Sequence, residues 1–359
     1  MRKEPVKVLV VDDSALVRKL LSHLLDAHPE IEVLDTAINA QDARTKIKRY
    51  DPDVVTLDIE MPGMDGLSFL EKIMTLRPTP VVMVSTLTQK GADASLNALR
   101  LGAFDCVAKP KDDLSRSVDL YRDELHRKVL SASTANVAML AQRAERTVKN
   151  NDVHRLSLGD IPSASAVQTI VAIGASTGGT EAINHMLRRL PADTPGIVLA
   201  QHIPEEFCPP FAERLNKCSA MSVAIAKEGE RVLRGHVYVA PGNEHLRIEK
   251  EGPHFVCRLG DDDPINRHRP SVDALFESVA DSARNRAVGV LLTGMGKDGA
   301  QGLKSMRDNG ARTLIQDEAS SVVWGMPGAA YKLDAAEEVL DLEVIPQRTL
   351  DVCVELMQR

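Results

Sequence analysis

Short, almost wholly apolar runs rich in Val, Ile and Leu recur along the first 110 residues, and amphipathic stretches with helical spacing fill the gaps. The runs cover residues 6–11, 31–37, 53–57, 81–85 and 103–108. Strands apolar on both sides must be covered on both faces, so the alternation predicts a doubly wound α/β domain around a five-stranded parallel sheet. The pattern breaks near Lys111. From there to Gln168 the chain offers one charged helical stretch, 119–128, and then small or polar clusters such as Ser131-Ala-Ser-Thr and Ile161-Pro-Ser-Ala-Ser, the composition of a connector. Apolar runs return at 169–175, 196–201, 236–240, 287–292 and 311–316, predicting a second doubly wound, mainly parallel α/β domain. Between Met221 and Asp263, short extended runs and turns such as Pro241-Gly242-Asn243 predict an antiparallel excursion or edge hairpin. The expected organisation is a domain over 1–125, a linker over 126–168 and a domain over 169–359.

Composition narrows the function. At roughly 100–200 residues per domain, 359 residues fit two domains and a connector. No apolar run approaches the roughly 20 residues of a membrane span, and Asp12-Asp13 cuts the apolar segment after the basic start before it resembles a signal peptide, so a cytoplasmic protein without membrane insertion is expected. The net charge is −7, and residues 169–359 alone carry 21 basic against 27 acidic side chains. Nucleic acid is therefore disfavoured as a partner. Five cysteines, odd in number and without a CxxC pair, point to neither disulfides nor zinc. Their expected role is packing.

In the first domain the chemistry-bearing residues fall at successive strand ends: Asp12 and Asp13, Asp58, Ser85 and Lys109. In a doubly wound sheet those ends share one edge, the edge where such folds bind ligands. Crowded carboxylates repel unless a cation sits among them, and Mg²⁺ is a hard ion suited to oxygen ligands. A lysine and a hydroxyl opposite would hold a phosphoryl group on Asp58. Each residue alone also reads as a solvated loop residue; their joint placement favours a site. The runs Val10-Val-Asp-Asp-Ser, Leu57-Asp-Ile-Glu-Met-Pro-Gly-Met-Asp-Gly and Ala108-Lys-Pro resemble the response-regulator receiver domain, a flavodoxin-like fold, over residues 5–125. That resemblance implies that Asp58 takes phosphate from a chemotaxis histidine kinase, that Asp12, Asp13, Asp58 and the Glu60 backbone carbonyl hold Mg²⁺, and that Ser85 and Lys109 sense the phosphoryl group. Cys106 stands where receivers usually carry an aromatic switch residue, which points to loop and helix shifts instead.

The second domain offers Ser176 in Gly174-Ala-Ser-Thr-Gly-Gly between a strand and a helix, His202 after the strand 196–201, and Asp298 in Thr293-Gly-Met-Gly-Lys-Asp-Gly. A serine at a helix N-terminus lies where backbone N–H groups stabilise negative charge. A hydroxyl needs a base, and an imidazole oriented by a carboxylate supplies one. Read singly, the glycine loop is equally a phosphate cradle, the histidine a structural hydrogen bonder and Asp-Gly a turn. With Gln201-His-Ile-Pro and Ala240-Pro-Gly, these motifs resemble the chemotaxis protein-glutamate methylesterase (CheB) family, and with the receiver the likeness covers nearly the whole chain outside the linker. It implies Ser176 as nucleophile, His202 as general base, Asp298 as orienting carboxylate, and backbone N–H groups near Thr177 and Met295 as oxyanion donors, with no cofactor at the hydrolytic site. The implied substrates are glutamate γ-methyl esters on the cytoplasmic helices of methylated chemoreceptors, with glutamine deamidation in some members.

Other features weigh less. Cys208 and Cys218 lie outside glycine-rich turns and read as packing. Asp261-Asp262-Asp263 beside Pro264 reads as a solvated loop, and Arg267-His268-Arg269 as a basic patch near the cleft that could meet substrate carboxylates. Two complete sites on one chain, with the family likeness, lead to the expectation that the unphosphorylated receiver obstructs the hydrolytic cleft and phosphorylation opens it. Competing readings are a receiver-controlled transcription factor, disfavoured by the acidic parallel-sheet second half, and a phosphorylation-dependent binding module without esterase activity, disfavoured by Ser176, His202 and Asp298.

Overall fold

The computed structural model describes residues 4–86, 88–109, 118–137, 139–141, 156–157 and 169–358. The chain divides into two compact units, Met1–Asn151 and Asp152–Arg359. In the first, β1 (Val6–Val11), β2 (Ile31–Ala37), β3 (Val54–Asp58), β4 (Val81–Ser85) and β5 (Asp105–Ala108) form one sheet in the order β2-β1-β3-β4-β5. Every pair is parallel. The helices α1 (Ala15–Asp26), α2 (Ala40–Tyr50), α3 (Gly66–Leu76), α4 (Gln89–Arg100) and α5 (Val118–Ala132) connect and cover the strands. Ser14, Asn39, Asp65 and Thr88 each accept a backbone N–H from the first turn of α1 to α4 respectively, so each loop ends in a side chain that caps the next helix. All five residues of β3 and of β4 are buried, which explains their mostly apolar character, with Asp58 and Ser85 at the carboxyl ends. Helix α5 continues seven residues past the expected domain edge at 125, because Leu125, Val129 and Ala132 bury one face. Within the expected linker, residues 142–155 and 158–168 lie outside the described residues.

The second unit contains β6 (Ile170–Ala175), α6 (Gly179–Arg189), β7 (Gly196–Gln201), α7 (Cys208–Cys218), β8 (Ser222–Ile225), β9 (His236–Val239), β10 (His245–Glu251), β11 (His254–Gly260), α8 (Val272–Ala283), β12 (Ala287–Leu291), α9 (Ala300–Asp308), β13 (Arg312–Gln316), α10 (Met326–Lys332), β14 (Glu338–Leu340) and α11 (Ile345–Met357). Seven strands form a parallel sheet in the order β14-β13-β12-β6-β7-β9-β8. The expected excursion is the separate antiparallel hairpin β10–β11, packed on α8 through Leu246, Ile248 and Phe255. The short edge strands β8 and β14 escaped the apolar pattern, since each is only partly buried. Strand β6 is buried at all six positions and lies between β7 and β12, where the strand order reverses. Each fully buried Val, Ile or Leu there contributes about 1.5–3 kcal/mol to stability. Among the described residues no helix is long and apolar enough to cross a membrane. The cysteines are unpaired, and Cys106, Cys208, Cys257 and Cys353 are buried in the packing role expected of them.

Candidate functional site

The order reversal at β6 opens a crevice at the carboxyl edge of the second sheet. Ala175 pairs in register with Gln201, so Ser176 and His202 leave adjacent strands side by side, and the His202 N–H donates to Ala175 O at 3.2 Å. On the other flank, the Leu292 N–H donates to Gly174 O at 2.9 Å and the Ser176 N–H to Thr293 O at 3.1 Å. Thus the loop after β12 is drawn under the serine turn. That loop brings in Asp298, whose Oδ2 lies 2.8 Å from His202 Nε2. The two side chains are only 1% and 7% exposed. A carboxylate only accepts, so Nε2 carries the shared hydrogen and Nδ1 keeps its lone pair. Nδ1 is buried and has no hydrogen-bond partner among the described residues. An imidazole held this way has a free basic nitrogen.

Asp298 is held by more than the histidine. Its Oδ1 accepts from Asn266 Nδ2 and Ser271 Oγ, both at 2.8 Å, and from the Asp273 N–H at 3.3 Å; its Oδ2 also accepts from the Val272 N–H at 2.6 Å. The two N–H groups belong to the first turn of α8, where unpaired donors and the helix dipole favour an anion. Burial alone would raise the Asp298 carboxyl, but His202, Asn266 and the Val272 N–H outweigh it and hold the group well below the usual range. Asp273 behaves oppositely: burial first, and the charge of Asp298 beside it, push its carboxyl up.

Two glycines let the backbones approach. Gly178 adopts φ +76°, and a Cβ there would lie 2.5 Å from Val322 Cγ2. At Gly294 a Cβ would lie 2.3 Å from Met326 Sδ and 2.9 Å from Ser176 Cβ. Ser176 and Thr177 are buried at the start of α6, and Met295, half-buried, follows Gly294. Four neighbours complete the surroundings of the site; the sequence placed Gln201 in the motif that carries His202 and His268 in a basic patch near the cleft, and gave Asn266 no role. Gln201 Nε2 donates to Ser176 O at 2.9 Å, Ser271 caps α8 while donating to Asp298, Asn266 reaches Asp298, and the His268 ring stacks on His202 at 3.7 Å with 7° between planes. Ser271 carried a local signal too, as a capping residue ahead of a helical pattern, whereas Asn266 carried none. The expected basic patch divides: Arg269 donates to Asp261 O and Asp262 O, while His268 turns inward.

In the first unit Asp12, Asp13 and Asp58 each bring a carboxylate oxygen within 4.8 Å of the others. Lys109 Nζ lies 2.7 Å from Asp58 Oδ2 and 2.9 Å from Asp12 Oδ2. Burial raises the Asp58 carboxyl to about 6, against the pull of Lys109 and with the push of Asp12. The Glu60 N–H donates to Asp58 Oδ1 at 3.2 Å. Ser85 is buried, and its hydroxyl donates to Gly91 O at 3.2 Å and Thr86 O at 3.4 Å rather than to Asp58. Cys106 is buried on β5 with its Sγ 3.6 Å from Ser95 O, and burial pushes its thiol up to about 12.

Comparison with known proteins agrees with both halves. The CheB methylesterase family matches residues 171–349 and the response regulator receiver domain family residues 8–119. The chain is 52% identical over 346 residues to protein-glutamate methylesterase/protein-glutamine glutaminase 1 of Xanthomonas campestris pv. campestris, covering 96% of this chain and 97% of that one. It is 49% identical over 368 residues to the protein-glutamate methylesterase/protein-glutamine glutaminase of Hydrogenovibrio crunogenus, covering 96% and 98%. The crystal structure of the Thermotoga maritima CheB methylesterase catalytic domain is similar at 34% identity and a TM-score of 0.50, covering 51% of this chain and 98% of that domain.

Proposed function

The chain belongs to the protein-glutamate methylesterase/protein-glutamine glutaminase family, and on that premise we propose that it hydrolyses glutamate γ-methyl esters on methylated chemoreceptor helices to glutamate and methanol, under control of its receiver. The observation that carries the chemistry is the His202–Asp298 pair at 2.8 Å, with a buried basic Nδ1, beside the Ser176 turn. Ser176 Oγ attacks the acyl carbon while its proton passes to His202 Nδ1. Collapse of the tetrahedral intermediate breaks the bond to the methoxy oxygen, which leaves as methanol with that proton. Water, losing a proton to the same nitrogen, then cleaves the glutamyl-serine ester, and the proton returns to Ser176. With a glutamine side chain the leaving group is ammonia, so deamidation is a second reaction of the same residues. Backbone N–H groups of Thr177 and Met295 receive the oxyanion.

In the receiver, Asp58 accepts a phosphoryl group from a chemotaxis histidine kinase. Asp12, Asp13, Asp58 and the Glu60 carbonyl would hold Mg²⁺, a fit supported by three clustered carboxylates offering only hard oxygen donors. When bound, the ion offsets the negative charge of the carboxylates and of the incoming phosphoryl group. Lys109 and Ser85 hold that group by charge and by hydrogen bond. Both partners act in the cytoplasm, which places the protein there. Methanol release from a methylated chemoreceptor tests the proposal: wild type is expected to release it, faster with a phosphodonor and Mg²⁺, and Ser176→Ala to release none. Folded wild-type protein that frees neither methanol nor ammonia from the receptor would overturn it.

A further inference from the structure

The four residues Ile265 to His268 form a tight turn: the Ile265 N–H donates to His268 O at 3.1 Å and the His268 N–H to Ile265 O at 2.9 Å. Its two central residues, Asn266 and Arg267, have φ of +51° and +70°. Two left-handed residues in succession define a type I′ turn, a conformation that asparagine tolerates and arginine resists. Strained backbone of this kind persists where the surroundings demand it, often at functional sites. Here both ends of the turn are occupied. Asn266 Nδ2 lies 2.7 Å from Asp273 Oδ2 and 2.8 Å from Asp298 Oδ1. Carboxylate oxygens only accept, so the two amide hydrogens are divided between the two carboxylates. Asp273 receives its other hydrogen bond from the Gly302 N–H at 2.7 Å, so it is anchored at the start of α9 while Asp298 is anchored at the start of α8. At the far end of the turn, His268 lies flat on His202 at 3.7 Å.

The geometry points to this turn as a fourth component of the hydrolytic site, in which Asn266 and His268 are positioning residues for the general base. The inference rests on the proposed roles of Ser176, His202 and Asp298. Asn266 shares its two amide hydrogens between two neighbouring carboxylates and fixes the one that orients His202. His268 covers one face of the same ring at 3.7 Å, which restricts the tilt of the imidazole. A loss of about 1 Å in such alignment costs about a hundredfold in rate. Both residues act through Asp298 and His202, so both should act on kcat rather than KM.

The test uses the full chain, methanol release from methylated chemoreceptor, and the rate at which a fluorophosphonate labels Ser176, a readout that does not depend on the receptor. Asn266→Gly suits the left-handed backbone and removes only the amide; Asn266→Asp keeps the shape and replaces donors by acceptors. Both are expected to lower kcat and the labelling rate about tenfold to a hundredfold, with KM within about twofold and the thermal midpoint of the Gly variant unchanged or raised. His268→Phe preserves the flat contact and is expected to stay within about threefold of wild type, whereas His268→Leu falls at least about tenfold. Folded Asn266→Gly and Asn266→Asp proteins with wild-type kcat and labelling rate would overturn the inference, as would equal losses for Phe and Leu at 268. Failure of the underlying reading looks different: wild type would then neither release methanol nor be labelled at Ser176.

Discussion

Gly294 occupies the point where the serine turn, the loop carrying Asp298 and the start of α10 converge, with Gly325 and Met326 N–H groups both donating to its carbonyl. A methyl group there would meet the sulfur of Met326 and the Cβ of Ser176 at distances no packed structure tolerates. Gly294→Ala should therefore destabilise the fold by about 1–3 kcal/mol, as overpacking does, and lower methanol release more than tenfold. Thermal unfolding and kinetics on the same preparation check it; a variant with wild-type midpoint and rate would mean that the two backbones do not press on each other. Arg267 gives the reverse case. It is exposed, its φ is +70°, and glycine at such a position relieves strain, so Arg267→Gly should raise stability by up to about 1 kcal/mol in a denaturant titration. The Gly174-Ala-Ser-Thr-Gly-Gly loop was legible from the sequence as a strand-to-helix turn carrying a serine. Asn266 was not legible as part of the site, because its contacts depend on a turn that carries it to Asp298 in the loop after β12 and to Asp273 on α8; His268 was legible only as part of a basic patch near the cleft, without its stacking on His202.

Helix α8 shows how one element serves two purposes. Ser271 caps it by accepting from the Ala274 N–H at 3.3 Å and donates its own hydrogen to Asp298, while the Val272 and Asp273 N–H groups complete the anion site. Ser271→Ala should cost about 1 kcal/mol of stability as a lost cap and, with Asp298 in its proposed orienting role, lower kcat with little change in KM, because the donor lost was holding that carboxylate. A variant that loses stability but keeps kcat would make Ser271 a cap alone. At this scale the fold was largely legible: the apolar runs gave most strands to within two residues, since buried parallel strands must be apolar throughout. The pattern failed at β8 and β14, whose edge positions leave half their residues in contact with water. It also failed on strand order, because period and polarity describe which faces are buried and say nothing of which strands are neighbours.

Across the whole molecule the same construction appears twice, a parallel sheet whose order reverses beside a strand that delivers an acid or a nucleophile to the carboxyl edge: β1 and β3 for Asp12 and Asp58, β6 for Ser176. That repetition is why five receiver residues and three hydrolase residues, scattered over nearly 300 positions, could be read as two sites before any coordinates. What links the sites was less legible, since the chemistry of coupling resides in no single motif. With the proposed roles of the receiver and of Asp58, a coupled enzyme has testable properties. Mg²⁺ should raise the thermal midpoint of wild-type protein, because an ion that binds the folded state stabilises it, and this rise should vanish in Asp12→Asn. A small-molecule phosphodonor with Mg²⁺ should raise methanol release by wild type and leave Asp58→Asn at its unstimulated rate. The fragment starting at Asp152, which forms a compact unit by itself, should retain Ser176-dependent hydrolysis and lose all response to the phosphodonor. If the fragment is folded and hydrolyses more slowly than the unphosphorylated full chain, the receiver assists rather than restrains the hydrolase, and phosphorylation must act by adding to that assistance.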